Sequence, residues 1–209
     1  MRIVPGKLED AGQIAQVYID AFPDSTAFYF PHKDRKRLEE AVKCGFQLIL
    51  QLGAEALVAV DQDGAVAGYC IFSSQALPHR GKAWGSIIKT GLRALAYLSP
   101  WELGKLAYSR VLFRRHVQLR DKLPPEGGRI VSIAVSRRFQ GKGLGRKLLV
   151  QALTEMGPAA VLLEVRANNA SAKALYHSCG FRSFGTTRDS LGPWVIMARP
   201  APGGAKDPV

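Results

Sequence analysis

The sequence predicts an α/β protein with a central mixed sheet and a helical insertion. Three observations predict it. Two β-rich runs, EALVAVD and AVAGYCIF, are joined by Asp61-Gln62-Asp63-Gly64, and Asp-Gly between such runs signals a hairpin. Strand-like and helix-like segments alternate through the last third of the chain. Between these regions, residues 75–127 read as helical and carry ten Lys/Arg against three acids, so +7 of the net charge of +12 lies there.

Taken in order, residues 1–6 read as a first strand and 8–22 as a helix, with Ile14, Val17 and Ile19 among its apolar positions. Residues 23–34, PDSTAFYFPHKD, read as an aromatic loop, because two prolines and an Asp-Ser-Thr run argue against regular structure. Helical periodicity returns over 34–52 through Leu38, Ala41, Val42, Phe46 and Leu48. Within the insertion, 84–98 and 101–122 read as helices, with Ser99-Pro100 as N-cap and first helical residue. Residues 123–128 close it as a linker. The last third reads as strand 129–135, helix 141–156, strand 160–165, helix 169–178, and strands 181–187 and 194–198. A Pro/Gly-rich tail, 200–209, reads as disordered and leaves 1–199 as a single domain.

Composition narrows the function. The 209 residues are 47% hydrophobic and 22% charged, the balance of a globular protein with a core. No apolar run approaches the ~18–20 residues that span a bilayer. The first residues hold acids by position 10 and no apolar stretch, so no signal peptide is expected. Cys44, Cys70 and Cys179 are odd in number and widely spaced, which fits neither a disulfide framework nor a zinc site and suits a reducing, cytoplasmic compartment. Four histidines lack metal-binding spacing, so no metal is expected. The net charge of +12 attracts polyanions such as nucleic acid, anionic lipid or a phosphorylated cofactor.

Chemistry concentrates in IVSIAVSRRFQGKGLGRKLLVQAL. A strand ending near Val135 runs into a loop of glycines and cations, and a helix begins inside that loop. Glycines let backbone N–H groups approach a ligand, and a helix start adds unpaired N–H groups and a positive dipole end. Such a place binds phosphate, with Arg138, Lys142 and Arg146 adding charge. A tight turn with a solvated basic surface is the plain alternative. The pattern G-x-G-x-G is neither the P-loop nor the dinucleotide fingerprint, although Glu164 falls near the offset at which the latter places a ribose-binding acid.

Two motifs carry a resemblance. Gln140-x-x-Gly143-x-Gly145 is similar to the pyrophosphate-binding motif of the GCN5-related N-acetyltransferases (GNAT). Leu163-Glu164-Val165-Arg166-x-x-Asn169-x-x-Ala172-x-x-Leu175-Tyr176-x-x-x-Gly180-Phe181 resembles the rest of that family's signature, and particularly the ribosomal-protein N-terminal acetyltransferases. The resemblance covers about 129–199 and implies a mostly antiparallel mixed sheet flanked by helices, with the basic insertion between the third and fourth strands. It implies acetyl transfer from acetyl-CoA, as co-substrate, to a primary amine by direct attack on the thioester. It implies that Gln140, Gly141, Lys142, Gly143, Leu144, Gly145 and Arg146, with Arg138, hold the pyrophosphate. Ile133, Ala134 and Val135 would meet the pantetheine arm through their backbone, while Asn169 and Lys173 would line the cofactor with Tyr176.

Two residues would carry the reaction. Alternation on the strand separates Val161, Leu163 and Val165 from Leu162 and Glu164, and a carboxylate inside VLLEV is unusual for a buried strand. Glu164 is therefore the candidate base, with a raised pKa or a water relay expected; an ion pair with Arg166 or another cation is the alternative. Tyr176 is the candidate acid for the leaving thiolate, with a core aromatic as its alternative and an N-cap as that of Asn169. Phe28, Tyr29 and Phe30, beside His32, either line the acceptor pocket or cap the core. The acceptor is an amine on a small molecule, peptide or protein. The insertion is a covering over the site, a cationic surface for nucleic acid or anionic lipid, or an ordinary amphipathic pair. A monomer or homodimer is expected. The rival readings are a non-catalytic CoA-binding module that binds nucleic acid and a nucleotide-binding oxidoreductase.

Overall fold

The structure, a computed structural model, describes residues 1–74, 84–124 and 127–202. The chain opens with β1 (Arg2–Pro5), a 3-10 turn over Leu8–Asp10, α1 (Ala11–Ala21), α2 (Pro23–Tyr29) and α3 (Arg35–Gln51). The hairpin β2 (Glu55–Val60) and β3 (Val66–Ser73) follows, then the helices α4 (Trp84–Tyr97) and α5 (Pro100–Arg115) and a short β4 (Gln118–Leu119). The last third is β5 (Gly128–Val135), α6 (Leu144–Glu155), β6 (Val161–Arg166), α7 (Ala170–Ser178), β7 (Arg182–Asp189) and β8 (Gly192–Arg199). The strands form one sheet in the order β1-β2-β3-β5-β6-β8-β7-β4. Among the described residues β5 and β6 are the parallel pair, and every other ladder is antiparallel. This is the expected mixed, mostly antiparallel sheet, and it excludes the doubly wound parallel sheet that the oxidoreductase reading requires.

Several elements depart from expectation. Residues 23–34 are not all loop, because Pro23 takes the first turn of α2, where its missing N–H costs nothing, and Asp24 favours the positive helix start. The second inserted helix stops at Arg115 rather than 122, and Gln118–Leu119 pairs with Thr186 and Gly185 as β4. Two residues are too few for a readable strand period. The helix expected from 141 begins at Leu144, with Gly143 as its N-cap. The beginning of the insertion, 75–83, two linker positions, 125 and 126, and the tail from 203 lie outside the described residues.

Two apolar clusters hold helices to the two faces of the sheet. Leu148, Leu149 and Ala152 of α6 and Tyr176 of α7 pack with Leu57, Cys70, Val161, Leu163 and Val165. Ala11, Ile14, Ala15 and Val17 of α1 and Phe46 of α3 pack with Val58, Tyr69, Ile71 and Ala134. Strand alternation sorts β2, β3 and β6 between the faces, as the sequence indicates. On β5 the alternation breaks. Ile71 of β3 pairs with Ser132 but Phe72 pairs with Ile130, so Val131 is an extra residue, a β-bulge. The bulge changes the phase, and Ile130, Ile133 and Val135 all join the α6–α7 side.

The inserted helices are tied down by polar contacts. Ser99 caps α5, with its hydroxyl accepting from the Glu102 N–H while the Glu102 carboxylate accepts from the Ser99 N–H, a capping box. Glu102 is itself buried against Lys33, 3.0 Å away. Burial raises the Glu102 carboxyl, and hydrogen bonds from Ser99 and Lys33 outweigh that and hold it below its ordinary value. Lys33 also donates to the Tyr97 carbonyl, so one side chain anchors the end of α4 and the start of α5.

Candidate active site

The bulge at Val131 coincides with a parting of strands. β5 and β6 pair only at Gly128↔Val161 and Arg129↔Leu162, then diverge. The remainder of β5 keeps its ladder to β3, and the remainder of β6 keeps its ladder to β8. A cleft therefore opens between residues 131–135 of β5 and the end of β6. Ile133, Ala134 and Val135 form its β5 wall with backbone groups, while the side chains of Ile133 and Val135 pack into the α6–α7 core.

The cleft leads to the glycine loop. After Val135 the chain makes a 3-10 turn over Arg137–Phe139 and reaches Gln140, whose amide donates to the Val135 carbonyl at 2.9 Å. Gln140 thus closes the loop onto the strand end. Gly141 and Gly143 have φ of +75° and +74°, a region that side-chain-bearing residues rarely adopt, and a Cβ at either would meet only open space. Their role is backbone shape beside an open approach. The first helical hydrogen bond of α6 runs from the Lys147 N–H to the Gly143 carbonyl, so the amides of Leu144, Gly145 and Arg146 lie ahead of the ladder at the positive end of the helix. Lys142 and Arg138 both stand over the Phe139 ring, and Arg146 donates to Ser178. This donor set fits a diphosphate.

The catalytic candidates lie on opposite sides of the sheet. Tyr176 is buried beside Phe181, with ring centroids 5.9 Å apart. Burial raises its phenol well above 10, and the neighbouring Cys70 adds to this. Cys70 is the ladder partner of Ile133, so Tyr176 lies under the stretch of β5 that has left β6. Asn169 caps α7 by accepting from the Ala172 N–H at 3.0 Å, and Lys173 donates to the Ala167 carbonyl at 2.6 Å. Both side chains therefore make structural contacts at the positions expected to line a cofactor. Glu164 projects to the other face, partly buried, and accepts from Arg129 at 2.6 Å.

Arg166, two residues on and on the same face, does not pair with Glu164. It grips Asp189 with two bonds of 2.7 and 2.9 Å and stacks on Trp194 at 4.1 Å. Burial raises the Asp189 carboxyl, and the paired hydrogen bonds from Arg166, with one from the Leu191 N–H, overcome that to hold it below its ordinary value. Tyr29 of α2 shares a 2.6 Å hydrogen bond with Ser109 of α5 and donates to Asp189 at 3.3 Å. Arg129, Glu164, Arg166, Asp189, Tyr29 and Ser109 thus form a polar array beside the cleft. The sequence does not reveal Arg129, Ser109 or Asp189, since each reaches its partner only through tertiary packing.

The three aromatic residues of α2 separate. Tyr29 joins the array, Phe28 sits under the Lys105 ammonium at 3.8 Å, and Phe30 lines a cavity of about 510 Å³. Arg138 lines that same cavity with Lys33, Arg35 and Arg137, so one cationic space borders residues expected to serve acceptor and cofactor separately. Among the described residues no cluster of three or more His, Cys, Asp or Glu is placed to hold a metal ion.

The acetyltransferase (GNAT) family model matches residues 13–181, well over half of the chain. The chain belongs to the GNAT acetyltransferase family. Its relatives include the ribosomal protein bS18-alanine N-acetyltransferase of Escherichia coli K12, 42% identical over 80 residues, or 34% of this chain and 54% of that protein. The chain spans between 17% and 54% of the length of the curated relatives it matches. Among solved structures, a histone acetyltransferase HPA2-related protein of Corynebacterium glutamicum has a TM-score of 0.63 at 18% identity, with 99% of this chain and 98% of that chain covered. An N-acetyltransferase of Staphylococcus aureus Mu50 also has a TM-score of 0.63, at 20% identity, with 95% and 100% covered. These likenesses show the GNAT fold.

Proposed function

We propose that this GNAT protein transfers an acetyl group from acetyl-CoA to a primary amine by direct attack on the thioester. The observation that carries the reading is the cleft between β5 and β6, which opens at the Val131 bulge and leads to the start of α6. Acetyl-CoA supplies an activated acyl group when bound. The amides of Leu144, Gly145 and Arg146, with the nearby cations, hold its diphosphate. The freed backbone of Ile133, Ala134 and Val135 orients the arm that leads to the sulfur, and a backbone N–H there polarises the thioester carbonyl. Tyr176 keeps its proton through neutral pH and delivers it to the departing thiolate. Glu164, directly or through a water beside it, takes the proton that the attacking amine loses as the new C–N bond forms and the C–S bond breaks.

The ion pair with Arg129 bears on the acceptor. A lysine side chain, with a pKa of about 10.4, needs a strong base at neutral pH, whereas a peptide α-amine, at about 7.7–8.0, is partly neutral already. A carboxylate shared with a guanidinium suits the second task. The first acceptor to test is therefore a peptide amino terminus, the class of group named for the Escherichia coli relative. The reading assigns residues 1–199 to one cytoplasmic acetyltransferase unit.

Thiol release from acetyl-CoA, measured with a panel of peptide and small-molecule amines, tests this reading. Tyr176→Phe is expected to lower kcat roughly 100-fold while leaving CoA affinity nearly intact. Glu164→Gln should lower kcat/KM by roughly tenfold or more while leaving CoA affinity nearly intact. CoA binding without turnover on any amine would instead favour a non-catalytic module.

A further inference from the structure

The α4–α5 pair presents its residues in a way that the acetyltransferase reading does not use. The inner face of α4 is fixed by contacts to α3: Ser86 accepts from Gln51, Arg93 meets Cys44 and Gln47, and Thr90 and Ala94 are buried. Ile88, Leu92 and Leu95 lie about half a turn round the helix from that face. All three are exposed, Leu92 to 64%. The inner face of α5 is fixed in the same way, through Glu102 to Lys33, Lys105 to Phe28, Ser109 to Tyr29 and Phe113 to Trp194. Its outer side carries Trp101, exposed to 77%, with Tyr108 and Val111 also exposed.

The charges between these apolar groups have one sign. Lys89, Arg110, Arg114 and Arg115 are exposed, and the single acid in the two helices, Glu102, is buried in its ion pair. Aliphatic and aromatic side chains interleaved with cations, and no exposed acid, make up the pattern of a helix lying in a membrane interface. Trp and Tyr suit the boundary between headgroups and acyl chains, because each has an apolar ring and a polar edge. Other occupants fit less well. A second copy would bring two cationic faces of a +12 chain together. A nucleic acid would match the cations but leave Ile88, Leu92 and Leu95 against phosphates.

We infer that the outer face of α4 and α5 docks this protein peripherally on an anionic bilayer surface. No described helix is long and apolar enough to cross a membrane, so the attachment is interfacial. The helices insert their apolar side chains to headgroup depth while the cations meet anionic headgroups. Because the inner face of α5 contacts Tyr29 and Trp194, docking holds the acceptor side of the enzyme close to the lipid surface.

Flotation of the full chain with vesicles tests the inference without reference to acetyl transfer. With about 30 mol % phosphatidylglycerol in phosphatidylcholine, the bound fraction should exceed that on pure phosphatidylcholine by about tenfold, and should fall at ~0.5 M salt. The double variant Ile88→Ser/Leu92→Ser should lose about tenfold in binding while keeping the melting temperature and CoA affinity of the unaltered chain. Brominated phosphatidylglycerol should quench tryptophan fluorescence in the unaltered chain and much less in Trp84→Phe/Trp101→Phe, which removes the two exposed tryptophans of these helices, a readout that does not depend on the serine variant folding. Flotation indifferent to Ile88→Ser/Leu92→Ser, equal quenching in Trp84→Phe/Trp101→Phe, binding to poly(U) RNA in place of vesicles, or loss of a dimer in the serine variant would each overturn the inference.

Discussion

The region from β5 to β8 and the pair α4–α5 are attached to the molecule by different means. The first is held by apolar burial: Leu148, Leu149, Val161, Leu163 and Met197 are nearly or completely inaccessible and pack in one cluster. The second is held largely by polar bridges to distant segments, from Lys33 to Glu102 and Tyr97, from Lys105 to Phe28, from Tyr29 to Ser109, and from Thr187 to the Phe113 carbonyl. Apolar burial leaves a periodic trace in the sequence. A bridge between residues some 70 or 80 positions apart leaves none. The region that shapes the cleft is therefore the more readable one, and the α4–α5 pair is the less readable.

The largest expected effect strikes the first region. Gly143→Trp puts a large side chain at φ +74° on the approach to the start of α6. CoA affinity should fall by on the order of 1,000-fold, about 4 kcal/mol, as read by calorimetric titration. Unaltered affinity would show that the loop does not hold the cofactor. A smaller effect should strike the second region. Glu102→Ala leaves Lys33 buried without its carboxylate and removes half of the capping box, at a cost of roughly 3 kcal/mol in chemical denaturation. If the loss is under ~1 kcal/mol, the polar bridges hold the pair less firmly than their geometry implies.

The smallest effect is a pH dependence. The Asp189 pKa is lowered in the folded chain, so its pairing with Arg166 stabilises fully above the ordinary aspartate value of about 3.9 and is lost as pH falls through the lower folded value. Below pH ~4 the melting temperature of the unaltered chain should fall more steeply than that of Asp189→Asn, by on the order of a degree or two. Parallel curves would mean that the pairing contributes little.

How much was legible follows from these contrasts. The hairpin turn at Asp63-Gly64, the cap at Ser99-Pro100 and the alternation of β6 were all readable, because each is a local pattern with a local cause. The glycine loop was readable because positive φ restricts the residue type. The bulge at Val131 was not, since an extra residue inside a run of β-branched side chains changes nothing local. Helix α2 was hidden behind a proline that starts a helix as readily as it ends one. The partner of Glu164 was hidden as well: Arg129 lies 35 positions earlier, at the last residue where β5 and β6 still touch.

Val131 also makes the cleft a matter of parity. With the extra residue, an even position, Ile130, and odd positions, Ile133 and Val135, face the same helices. Deleting Val131 would restore an unbroken ladder to β3 in which every remaining side chain keeps its face, and would invite β5 and β6 to zip shut along their full length. Shortening by a single amino acid would thus erase the aperture as thoroughly as filling it, and the enzyme's opening is written in how many residues the strand has, as much as in which ones.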